Sequence, residues 1–272
     1  MLGTSVKRTL LARGPRSIWR KYRPVLSSAD LTFANLETPL SNRGYKTPGK
    51  RPESLRTGKA FIFRTPPSAA EGLRWTGFDV LSVANNHTMD YQGPALEDTL
   101  HYVRKFGMLP VGAGKNLDEA RRPVFLERKG QRFAFLAACD ILTAFSAAEK
   151  HVPGVAPAQG AGFPSVMPKL IAAARKKADW VIVSVHWGKE RYPGATGRQR
   201  SLGHQLVDWG ADAVIGHHTH CLGPVERYKK GVIHYSLGNF MTTAPIPGGR
   251  PAWELTFRKG KYPGARSLFL KN

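Results

Sequence analysis

Ala213-Val214-Ile215-Gly216-His217-His218-Thr219-His220 carries an apolar run straight into a turn that holds three of the chain's nine histidines. Ala213 to Ile215 predicts a short buried strand, and a strand that opens into a Gly-His turn aims imidazoles at one point in space. Residues two apart on extended backbone project to the same side. His218 and His220 are therefore the expected pair, able to reach one ion or two adjacent ions. A lone histidine is more often a core or surface residue, but clustering at a strand end points to metal.

Working outward, the punctuation predicts alternating strands and helices. Asp30 to Ala34 reads as a strand that stops at Asn35-Leu36-Glu37-Thr38-Pro39, where proline ends the ladder. A polar, basic loop follows over 41–59, then a short strand over 60–63. Phe78 to Ala84 reads as a buried strand ending in Asn85-Asn86-His87-Thr88, with a helix from Pro94 to Phe106 closed by Gly107. Strands are expected over 132–139, over 179–185 running into His186-Trp187-Gly188, and over 232–237 ending in Gly238-Asn239-Phe240. Helices are expected over 165–177, capped by Ser165, and over 198–209, closed by Gly210. Polar ligand-type residues thus recur at the carboxyl ends of predicted strands, where open α/β sheets place their sites. Each has a plain alternative: Glu37 as a turn residue, Asn86 as a cap, His186 as a satisfied core histidine.

Composition bounds the rest. A chain of 272 residues with 42% hydrophobic content can bury one large α/β domain. It contains no run of eighteen apolar residues, and Met1 to Arg8 lacks the long apolar core of a signal peptide. Two cysteines, Cys139 and Cys221, exclude a disulfide framework and are expected to be reduced, buried thiols. The net charge of +22 is uneven: Lys7 to Arg64 holds fourteen basic residues against Asp30, Glu37 and Glu53. Such a field attracts an anionic polymer, a phosphorylated substrate or an anionic lipid surface, with plain solubility as the alternative. No zinc-finger spacing or aromatic-basic RNA-binding motif accompanies the charge, so no nucleic-acid partner is expected.

The blocks ADLTFANLETPLS, GFDVLSVANNHTMDYQG, VIVSVHWGKE and GADAVIGHHTHCLGPVERYKKGVIHYSLGNF, in order from Ser28 to Met241, resemble the CapA family of poly-γ-glutamate capsule biosynthesis proteins, within the calcineurin-like metallophosphatase superfamily. The resemblance implies an α/β fold with a two-sheet β-sandwich flanked by helices, in a single domain over 1–272 whose last residues, 259–272, form a tail. It implies a metal-dependent hydrolase of phosphoesters in capsule synthesis. Two divalent ions, manganese, iron or zinc, would be held by Glu37, Asn86, His186, His218 and His220. Asn86 and His87 take the place of the superfamily's catalytic Asn-His pair, and Asn35, His217, Asn239 and Arg191 are the expected substrate contacts. Arg191 and its neighbour Tyr192 read equally well as an ordinary solvated loop. The implied partners are the anionic polymer or a phosphoester and other capsule-synthesis proteins, with membrane association left open. The alternative class is a non-catalytic or weakly catalytic, polyanion-binding assembly protein of capsule synthesis that has lost one metal ligand. One departure stands out: Met1-Leu2-Gly3 resembles the tail of a Gly-Asp-Val-Met-Leu-Gly type block, so the first strand and its ligand aspartate are expected to lie upstream or to have been lost.

Overall fold

Phe33-Ala34-Asn35 (β1) and Val80-Leu81-Ser82 (β2) are three-residue strands lying parallel, with Asn35 opposite Ser82. Leu109–Val111 (β3) completes this sheet in the order β1-β2-β3. The computed structural model describes residues 2, 5–48, 52–57, 60–241, 250–261 and 263–270. The chain divides into two units: Met1–Arg121 with Leu142–Ala156, and Arg122–Ile141 with Pro157–Asn272. The fold class is α/β, with several sheets and flanking helices as expected.

The first unit holds the β1-β2-β3 sheet and helices α1 (Ser5–Arg13), α2 (Arg23–Leu26), α3 (Pro52–Arg56), α4 (Ala69–Thr76), α5 (Gln92–Lys105) and α6 (Leu117–Arg121). It also holds a two-residue antiparallel pair, β4 (Ala113–Gly114) with β7 (Gly154–Val155). α5 buries the predicted stripe of Leu96, Thr99, Leu100 and Val103. It begins two residues earlier than the proline signal suggested, which leaves Pro94 in the first turn where a missing N–H costs nothing. Residues 60–63, expected as a strand, form no ladder. The Phe63 N–H goes instead to the Asp90 carboxylate, and only Thr65 bridges Leu40. The basic loop contains α3, while 49–51 and 58–59 lie outside the described residues.

The second unit is built on a six-stranded sheet of order β10-β11-β9-β8-β6-β5. Its strands are β5 (Val124–Arg128), β6 (Gln131–Cys139), β8 (Trp180–His186), β9 (Ala213–His217), β10 (Val225–Tyr228) and β11 (Gly231–His234). The four central strands run parallel and the two outer ones antiparallel. β8 is buried at every residue, which is why it reads as a continuous apolar run without alternation. One face of the sheet carries Leu136, Val183, Val185, Val214, Ile233 and Tyr235. They pack on α7 (Gly162–Arg175) through Phe163, Met167 and Ile171, and on α8 (Gly197–Asp208) through Leu202 and Leu206. α7 starts three residues before Ser165, whose hydroxyl donates to Gly162 O inside the helix rather than capping it. Residues 264–270, read as tail, form β13 against β12 (Arg250–Thr256). Phe257, between these strands, meets Phe133 and Trp180 edge-on or tilted. Both cysteines are free thiols, Cys139 buried and Cys221 half-buried.

Candidate functional site

Each unit presents its own set of donors at strand ends. In the first, Asn35 closes β1 and Glu37 follows two residues on. The Asn35 carboxamide links two neighbours: its Nδ2 donates to Glu37 Oε2 at 3.3 Å, and its Oδ1 accepts from Asn85 Nδ2 at 3.1 Å. Asn85 is fully buried and spends its other contacts on the turn, donating to Leu36 O and accepting from His87 N–H and the Thr88 hydroxyl. Asn85 therefore builds the turn, and the half-buried Asn86 and the buried His87 are what the turn presents.

His87 has a partner that the sequence reading passed over. Its Nδ1 lies 2.7 Å from Asp90 Oδ2, and the same oxygen accepts the Phe63 N–H at 2.7 Å. A carboxylate only accepts, so Nδ1 carries the proton and Nε2 the lone pair. Phe63 stacks, tilted, on the imidazole with centroids 4.2 Å apart, and Asp90 is 2% exposed. The available signal was the spacing His87-Thr88-Met89-Asp90, three residues apart in a tight turn.

In the second unit, Cys139, His186 and His217 form one row across the carboxyl ends of β6, β8 and β9. The expected pairing of His218 and His220 by strand alternation does not hold, because β9 ends at His217. His218 (φ 94°) and His220 (φ 60°) instead have left-handed backbone, which non-glycine residues adopt only where surrounding structure holds them. Three contacts hold the turn: Trp187 N–H to His217 O, Arg191 N–H to Thr219 O, and the Thr219 hydroxyl to Cys221 O. Arg191 is itself left-handed (φ 58°), with its side chain exposed. Gly216 is required on steric grounds, since a Cβ there would lie 2.2 Å from Tyr235 O and 2.4 Å from Trp187 Nε1.

The turn brings His218 Nδ1 to 3.2 Å from His186 Nε2. Two nitrogens each about 2.0–2.1 Å from a tetrahedral ion lie about 3.3 Å apart, so this pair is already at ligand spacing. The His220 ring is 6.2 Å from that of His218, and its Nδ1 meets Asn239 Oδ1 at 2.9 Å. Asn239, expected to touch substrate, thus touches His220. His217 is buried, and burial pushes its pKa down to about 3, so it is a neutral imidazole at physiological pH. Among the described residues no group of three or more His, Cys, Asp or Glu side chains is gathered tightly enough to hold an ion. What fits a divalent ion is the imidazole pair of the second unit, and the kinds of donor that the two units present, imidazole, carboxylate and carboxamide, are the mixture that suits manganese, iron or zinc.

Polar side chains thus stand at the carboxyl ends of parallel strands of an α/β protein, with an Asn-His turn in one unit and a His-x-His turn in the other. Solved structures share this fold. A hypothetical protein from Thermus thermophilus superposes with a TM-score of 0.56 at 20% identity, over 93% of this chain and 94% of that one. A protein assigned as a 5'-nucleotidase from Staphylococcus aureus does so with a TM-score of 0.50 at 14% identity, over 75% of this chain and 40% of that one. Residues 1–244 match the family of bacterial capsule synthesis proteins described as PGA_cap, and the chain belongs to that family. The PGA biosynthesis protein CapA of Bacillus subtilis (strain 168) is 35% identical over 243 residues, which are 89% of this chain and 60% of that relative. The chain therefore spans about 60% of the length of the curated relatives it matches.

Proposed function

We propose that this chain is a metal-dependent hydrolase of phosphoesters serving poly-γ-glutamate capsule synthesis. The observation that carries the reading is the 3.2 Å approach of His186 Nε2 to His218 Nδ1 on a turn held in left-handed backbone. His186, His218 and His220 would serve as imidazole ligands, Glu37 as the carboxylate and Asn86 as the carboxamide ligand. Divalent ions held by such ligands would lower the pKa of a bound water and offset phosphoryl charge. His87, its Nδ1 proton held by Asp90, would take up a second proton on Nε2 from solvent and give it to the leaving oxygen. Asn35 holds the Glu37 carboxylate, and Arg191 offers an exposed cation beside the histidine turn for an anionic group of the substrate.

The test is turnover of a phosphoester panel by protein loaded in turn with manganese, iron or zinc. Hydrolysis that disappears in His186→Ala and His218→Ala supports the reading, and turnover that survives both substitutions contradicts it. A second reading is favoured by a different observation, the charge of +22 together with the absence, among the described residues, of a gathered three-donor group. In it the chain is an assembly protein that binds the anionic polymer without turnover, and its polymer affinity falls with salt while no ester is cleaved.

A further inference from the structure

The first 29 residues contain seven basic side chains and no acidic one. Four of their apolar members face inward, Val6, Leu10, Trp19 and Tyr22, each at most 6% exposed, while Leu11 and Val25 are exposed. The segment that follows α1 is seated directly on α4. Pro15 O occupies the place a Cβ of Gly72 would take, and Trp19 packs edge-on against Phe78 at 5.5 Å. Trp19 O accepts both the Tyr22 and the Arg23 N–H, which fixes the backbone of the turn. The cations are left outside.

Two of those cations share one ring. The guanidinium of Arg23 lies 4.4 Å from the Trp75 centroid and that of Arg16 lies 5.5 Å from it. Arg16 has a carboxylate partner, Glu71, at 2.7 Å. Arg20, Lys21 and Arg23 are exposed and form no ion pair among the described residues. Like charges held together on a fixed backbone repel one another, and an anion that bridges them removes that repulsion without ordering new backbone.

We propose that the exposed face of the Arg16–Arg23 turn, where Arg16 and Arg23 share Trp75 and Arg20 and Lys21 lie exposed between them in sequence, docks a linear polycarboxylate. A polymer suits it better than a single anion because several neighbouring cations are engaged at once. A membrane surface suits it less well, since an interfacial helix needs a continuous outward apolar face and the exposed large apolar side chains here stand singly, Leu11 on α1 and Val25 on α2. Single-stranded nucleic acid also suits it poorly, because the aromatic ring that would stack bases is already engaged by guanidiniums. The inference rests on the family's place in capsule synthesis and is independent of the metal centre.

The experiment is equilibrium binding of fluorescently labelled poly-γ-glutamate of defined length to the full chain, titrated at increasing salt. The triple variant R20E/K21E/R23E is expected to lose at least about tenfold in affinity and to flatten the plot of log affinity against log salt by about two units. A control of equal charge change on the second unit, K176E/K177E/K189E, is expected to change affinity less than about threefold. His186→Ala should bind polymer as the parent does, which separates this surface from the hydrolase reading. Equal losses in the two triple variants, or no loss in either, overturn the assignment. So does tighter binding of duplex DNA or of phosphatidylglycerol vesicles than of polyglutamate at matched charge.

Discussion

Asn239 Oδ1 lies 2.9 Å from Nδ1 of His220, nineteen residues away in sequence, and that contact decides which face of the imidazole is available. A carboxamide oxygen accepts, so Nδ1 keeps its proton and Nε2 carries the lone pair. Asn239→Ala should weaken metal retention about 10–100-fold with little change in thermal stability, and Asn239→Asp, which still accepts, should recover most of it. Metal competition titration against a chromophoric chelator measures both.

The contact between His87 and Asp90 sets a second expectation. Asp90→Asn keeps an oxygen for Phe63 N–H and His87 but removes the carboxylate charge that faces the ring. Turnover should drop by one to two orders of magnitude, and His87→Ala should cost about 10²–10⁴-fold, with metal content unchanged in both. Loss of metal in either variant would place His87 among the ligands instead.

Gly216→Ala pushes a methyl group into Tyr235 O and the Trp187 indole, neither of which can swing aside. The cost should be about 2–4 kcal/mol, read as a lowered midpoint in urea unfolding. Because Gly216 directly precedes His217 and His218, metal retention should fall with it.

Stability should also depend on pH through His234, which is 1% exposed and packs edge-on against Trp253 at 4.6 Å. Among the described residues neither ring nitrogen has a hydrogen-bond partner, and burial pushes its pKa down to about 4. The folded chain keeps the ring neutral while the unfolded chain protonates it near pH 6.5. Stability is therefore fully present above about pH 6.5 and falls as pH drops toward about 4, by up to about 3 kcal/mol. Below that both states are protonated and the dependence ends. His234→Phe should show a shallower slope across that window in unfolding free energy measured against pH.

The strands whose burial makes them continuously apolar were legible in the sequence. The strands Trp180 to His186 and Ala213 to His217 coincide with the apolar runs, and the polar residues at their ends mark the candidate site. Short elements were not. α4, β3 and the β4–β7 pair are two to eight residues long, and tertiary contacts rather than periodicity specify them. The 60–63 segment misled because its apolar pattern is that of a strand, while its N–H is captured by a carboxylate 27 residues on. The family's ligand-type residues were visible as motifs. Of their supports, Asn85 on Asn35 and Asn239 on His220 required coordinates, since a hydrogen bond across 50 or 19 residues leaves no local signature, whereas Asp90 on His87, three residues apart, left a local spacing that was passed over.

The most direct test of the central claim is the metal content of the purified chain after loading with manganese, iron or zinc and exhaustive dialysis, measured by mass spectrometry. The wild type should retain stoichiometric divalent ion, and His186→Ala and His218→Ala should retain less than about a tenth as much. A wild-type chain that emerges folded and free of all three metals would contradict the account.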